Sequence, residues 1–88
     1  MKKRLVKDFN AIFEQELPEL EKVRQGFEWV TGWYLEESQR EQEVLQALGD
    51  REGLVKEQIK ASTIQHARSI FGDCYLRATG RKAWDDEN

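Results

Sequence analysis

The stretch FEWVTGWYLEESQREQEVLQAL, residues 27–48, decides the fold. Its first half alternates: Phe27, Trp29, Thr31, Trp33 and Leu35 recur every second residue, and aromatic residues favour strands. Its second half does not. Glu36 to Glu43 are eight consecutive polar residues of high helix propensity. A lone hairpin with no further strand is marginal in water. The flanks settle the reading as helix. Upstream, Leu20, Val23, Phe27, Val30 and Tyr34 follow steps of three and four, the period of a helical seam. Downstream, Val44, Leu45 and Leu48 continue the helix until Gly49-Asp50, where a glycine suits a left-handed cap and an aspartate caps a new helix.

Two further helices flank this one. Leu5, Phe9, Ile12, Phe13 and Leu17 form a stripe of helical period over about Lys3 to Glu16. Pro18 ends that helix and opens the next, because proline suits a first turn and not an interior. The third helix starts near Arg51, with Ile59, Thr63, Ala67, Ile70, Cys74 and Ala78 as its expected buried stripe. Gly72-Asp73 is a site for a kink, and Thr79-Gly80 should end the helix. The fold class is all-α: an antiparallel three-helix bundle with a long central helix, or a four-helix one if the capping-box spacing of Ser38 and Glu41 breaks that helix. Residues 1–80 are read as one helical domain and 81–88 as a flexible C-terminal tail from which Trp84 docks on the body.

Composition agrees. Eighty-eight residues make one domain with a thin core. One Pro and six Gly leave few helix breakers. Residues 8–52 hold twelve acids against four bases, and residues 53–84 hold six bases against two acids, so the second and third helices should pack as oppositely charged partners. No apolar run is long enough to span a membrane, and the residues after Lys2-Lys3-Arg4 are too polar for the apolar region of a signal peptide, so none is expected. With a single cysteine, a cytoplasmic protein without membrane association is expected.

Little in the sequence supports catalysis. His66 is the only histidine and Cys74 the only cysteine, so no zinc set exists, and Thr63 stands where a Glu-x-x-His pair would need its acid. The glycines match no phosphate-binding loop. Cys74 is read as a small buried hydrophobe. No catalytic residue, metal or cofactor is expected, and the chain is read as non-enzymatic.

The aromatic surplus points instead to binding. At about 100° per residue, with Phe27 at zero, Val30 and Tyr34 fall at about 300° and 340°, while Trp29 and Trp33 fall at about 200° and 240°. One helix thus carries two apolar faces. The expected role is protein binding through Trp29 and Trp33, with Glu36 and Arg40 one turn beyond, as a stoichiometric inhibitor or adaptor and with a homodimer as one form. Phage and mobile-element accessory proteins share this compact, site-free profile. The less favoured alternative is a nucleic-acid-associated regulator using the basic third helix, through Lys56, Lys60, Arg68 and Arg77; the net charge of −3 weighs against it.

Overall fold

The computed structural model describes residues 6–84, and the side chains of 7–84. Three helices follow in order: α1 (Val6–Glu14), α2 (Glu19–Leu48) and α3 (Arg51–Thr79). The long dimension of the molecule, 46 Å, matches the 30-residue α2 at a rise of about 1.5 Å per residue. α2 and α3 run through Ser38 and Gly72 without a break. The start of the first helix as read from sequence, Lys3 to Leu5, lies outside the described residues. α1 stops at Glu14 rather than Glu16, because the residue before a proline is pushed out of the helical region, and Leu17 N–H turns back to the Gln15 carbonyl. No helix among the described residues is long and apolar enough to cross a membrane.

The turn between α2 and α3 is set by two residues. Gly49 takes φ of 74°, and its N–H bonds the Gln46 carbonyl while Asp50 N–H bonds that of Leu45, the paired bonds of a Schellman cap. Asp50 Oδ1 then accepts from Gly53 N–H at 2.9 Å and caps α3. A side chain at Gly49 would meet nothing within 4 Å, so the cost of Gly49→Ala is backbone strain alone. That cost is about 1 kcal/mol, or a melting temperature about 4–8 °C lower for a domain of this size. Thermal unfolding checks this, with Gly49→Asn expected to lose less.

The two long helices form an antiparallel hairpin whose seam is unusually polar. On α2 the buried or half-buried positions facing α3 are Arg24, Glu28, Thr31, Leu35, Ser38, Gln42 and Leu45. On α3 they are Leu54, Glu57, Ala61, Ile64, Arg68, Phe71 and Tyr75. Both runs step by three and four, the spacing of a left-handed helical seam. Three side-chain bonds fix the register. Ser38 Oγ donates to Glu57 Oε2 at 3.0 Å, Arg68 Nη1 donates to Thr31 Oγ1 at 2.5 Å, and Tyr75 Oη donates to Glu21 Oε2 at 2.8 Å. Among the described residues every buried side-chain nitrogen and oxygen has a partner, so the polar seam is satisfied.

This seam corrects the expected one. Leu20, Val23 and Tyr34 are exposed, and so are Ile59, Thr63, Ala67, Ile70, Cys74 and Ala78. The apolar period was real but lies to one side of the contact, because Thr31, Ser38, Glu57 and Arg68 bury as hydrogen-bonded pairs. Cys74 is accordingly an exposed thiol and not a core residue.

The core lies at the open end of the hairpin. Gly80, at φ 75°, ends α3 and turns the chain back, so that Ala83 and Trp84 pack between the helices. Trp84 is 3% exposed and Tyr75 4%. The Trp84 ring lies 5.6 Å from Phe71 and 6.2 Å from Phe27, each stacked, and Phe27 and Phe71 stack on one another at 4.8 Å. Arg68 lies over the indole at 4.6 Å, and Trp84 Nε1 donates to the Arg68 carbonyl at 3.1 Å. Gly72 permits that approach, since a Cβ there would stand 3.1 Å from Nε1. The segment read as a loose tail therefore supplies the most buried aromatic residue of the described chain; its residues 85–88 lie outside the described part.

α1 packs on the back of α2. Phe9 lies 5.2 Å from Trp29, and Phe13 rests on Gly26, where an added Cβ would come within 2.6 Å of its ring.

Candidate interaction face

Two sides of the hairpin are covered, one by α1 and one by the returning residues 81–84. The side that no described residue covers follows from helix geometry. At about 100° per residue, Val23, Val30 and Tyr34 stand about a quarter turn from the centre of the α2 seam, with Phe27 between them and the seam. On α3, Ala67, Cys74 and Ala78 stand about a quarter turn from its seam, with Phe71 between. Phe27 and Phe71 stack at 4.8 Å, so these two flanks lie on the same side of the hairpin. The chain returns along the other side: a shallow depression there is lined by Ser69, Gly72 and Leu76 with Lys82–Trp84.

The open face thus has large side chains along α2 and small ones along α3. Val23, Tyr34, Ala67 and Cys74 are exposed, and Val30 is half-buried. Toward the turn it becomes charged: Glu37 and Glu41 continue the α2 flank, Lys60 and Lys56 the α3 flank, and all four are exposed. Ile70, 52% exposed, forms its outer border on α3.

The residues expected from sequence to form the site are placed differently. Trp29 is half-buried beneath Phe9, so α1 of the same chain shields much of that anchor. Trp33 is half-buried and meets Tyr34 edge-on at 5.0 Å, but it stands about half a turn from the α2 seam. Glu36 is half-buried, and Arg40 is exposed and ion-paired with Glu37. The four cations of the nucleic-acid alternative do not converge. Arg68 is 9% exposed inside the seam. Lys56 pairs with Glu52, Lys60 with Glu57 and Arg77 with Asp73, each along α3. Val23, Tyr34, Ala67 and Cys74, which the apolar period places in the interior, are exposed, and Val30 is half-buried.

A second cluster closes the open end. Arg24 Nε donates to Glu21 Oε1 at 2.7 Å and Arg24 Nη1 to the Ala83 carbonyl at 2.9 Å. Arg81 Nη2 donates to Tyr75 Oη at 3.2 Å. The Arg24 hydrogen bond is the main reason the Glu21 carboxyl sits below its ordinary value of 4.5; partial burial works against it, and the Tyr75 hydroxyl and the Arg24 charge add to the lowering. A lowered folded-state value means that this stabilisation is complete above about pH 4.5 and is lost as pH falls through the folded value. Acid unfolding of wild type should therefore show a component, below pH 4.5, that Glu21→Gln lacks. The two curves should separate at neutral pH, by about 1 kcal/mol, and converge in acid.

Compared with protein-family models, curated proteins and solved structures, the chain matches none.

Proposed function

We propose that this chain is a non-enzymatic protein-binding module that acts through the open face of the α2–α3 hairpin, in the manner of a stoichiometric inhibitor or adaptor. One observation carries the reading. The buried hydrophobic residues are Tyr75, Ala83 and Trp84 among the described residues, while Val23 and Tyr34 on α2 and Ile70 on α3 are exposed along the open face. Scattered surface hydrophobes need no explanation, but a contiguous patch of them is what partners cover. Tyr34 is of a type that dominates binding energy at such patches.

The test compares wild type with Tyr34→Glu/Ala67→Glu as bait. Both positions are exposed, so the variant should keep its helicity by circular dichroism. Wild type is expected to retain a protein in fixed ratio and in high salt, and the folded variant to lose it. Retention that collapses with salt would mark phosphate-driven nucleic-acid binding instead. Retention unchanged in the variant would remove the face from the function.

A further inference from the structure

The open face carries information about its partner. Its two flanks differ in size and in charge: α2 offers Val23, Val30 and Tyr34 followed by Glu37 and Glu41, and α3 offers Cys74, Ala67 and Thr63 followed by Lys60 and Lys56. Each flank therefore complements the other. We infer that the occupant is a second copy of this chain, packed face to face about a two-fold axis parallel to the long helices, so that α2 of each copy lies on α3 of the other. The inference rests on the reading of this face as protein-binding and adds the identity of what binds.

The register can be derived. Within the hairpin, residues at equal height have numbers that add to between 95 and 99, as 38 with 57, 21 with 75, and 31 with 68 show. A two-fold axis along the helices leaves heights unchanged. The α2 residues of one copy then meet α3 residues of the other at the same spacing: Val30 over Ala67, Val23 over Cys74, Glu37 over Lys60 and Glu41 over Lys56. Acid meets base at the Glu37–Lys60 and Glu41–Lys56 levels, and a larger side chain meets a smaller one at Val30–Ala67. The alternative two-fold axis, across the helices, reverses heights and sets α2 on α2 and α3 on α3, so the acidic flank of one copy no longer lies along the basic flank of the other; charge complementarity favours the first arrangement. A two-fold contact of this kind is self-complementary and closes at two copies.

The area suffices. A 30-residue helix is about 45 Å long, and two helices side by side are about 20 Å wide, a face of roughly 900 Å². One partner's share of a standard stable interface is about 800 Å². The product would be a bundle of four long helices with Phe27 and Phe71 closer to its centre than to its surface. The Lys56–Glu52 pair is exposed and weak, and Lys60 is itself exposed at 3.7 Å from the half-buried Glu57, so both ammonium groups can also face the partner.

Light scattering coupled to size-exclusion, over a concentration series, tests the arrangement. Wild type is expected at twice 10.4 kDa. Ala67→Glu is expected to run as a folded monomer. Glu41→Lys alone and Lys56→Glu alone should each weaken the dimer about tenfold, since each reverses two symmetry-related pairs. The double reversal Glu41→Lys/Lys56→Glu should restore it to within about threefold of wild type. A wild type that stays monomeric throughout overturns the inference, as does a double reversal no tighter than the single ones. Monomeric wild type that still captures another protein, with capture lost in Tyr34→Glu/Ala67→Glu, overturns the second copy and keeps the binding face. A dimer indifferent to Ala67→Glu overturns the inference, and capture unaffected by the paired substitution then removes the face as well.

Discussion

Trp84→Ala is expected to lower stability by about 3–5 kcal/mol, the range for emptying a buried aromatic site. A chain of 88 residues has a total stability of about 4–13 kcal/mol, so this single change threatens the folded state. The size of the effect follows from position. Trp84 is 3% exposed and stacks on both Phe27 and Phe71, which come from different helices. With the indole gone, the open end of the hairpin has no wedge, and the Arg24 bond to the Ala83 carbonyl loses the anchor that holds that carbonyl in place. Trp84→Phe separates the contributions. It keeps a stacked ring and removes the bond from Nε1 to the Arg68 carbonyl, at a cost of about 1–2 kcal/mol. Urea unfolding of the three proteins gives the order wild type, Trp84→Phe, Trp84→Ala. Equal losses in the two variants would place the weight on the hydrogen bond and not on the packing.

Arg68→Ala is the second large effect, expected at about 3 kcal/mol. Arg68 stands where a bundle would ordinarily place leucine, and its guanidinium reaches across to Thr31 Oγ1 and the Glu28 carbonyl while covering the Trp84 ring. Truncation removes all of these and leaves a cavity beside the indole. Arg68→Met should lose much less, about 1 kcal/mol, because it refills the space without burying a charge, and hydrophobic replacement of buried charge is often near neutral. Thr31 is not stranded by either change, since its hydroxyl also donates to the Phe27 carbonyl at 2.6 Å. Equal losses for Ala and Met would show that the charge and its hydrogen bonds carry the stability and that volume does not.

The helices were legible in the sequence because their ends are written in single residues. Gly49-Asp50 and Thr79-Gly80 mark boundaries that the structure places where they were read, and Pro18 opens α2 as read, although α1 already stops at Glu14. The packing was less legible. Periodicity counts apolar residues, and on both long helices the apolar stripe lies beside the contact. Thr31, Ser38, Glu57 and Arg68 score as surface residues one at a time, yet they bury as pairs whose hydrogen bonds cross between helices, and a pair is invisible to a pattern read along one helix. The same misphasing hid the candidate face, since Val23, Tyr34, Ala67 and Cys74 were assigned inside. Trp29 shows the converse. It was read as an anchor for a partner because its face differs from that of Phe27, and it is α1, through Phe9, that covers it. Trp84 was legible: a large aromatic in a polar segment after a helix-ending glycine is expected to dock on the body, and it is 3% exposed.

The two ends of the hairpin differ in the order in which they should assemble. At one end, the bonds of Gly49 and Asp50 join residues three to five apart in the chain. At the other, Arg24 meets Ala83 across 59 residues. Closing a long loop costs chain entropy before any contact repays it, so local turns form early and distant contacts late. The hairpin should therefore zip from its turn, with the indole wedge inserted after the rate-limiting step. Substitutions at Trp84 should then speed unfolding and leave the refolding rate nearly unchanged, while Gly49→Ala should slow refolding. A chevron analysis of the two variants reads this directly: the end that makes the protein last is not the end that makes it fold.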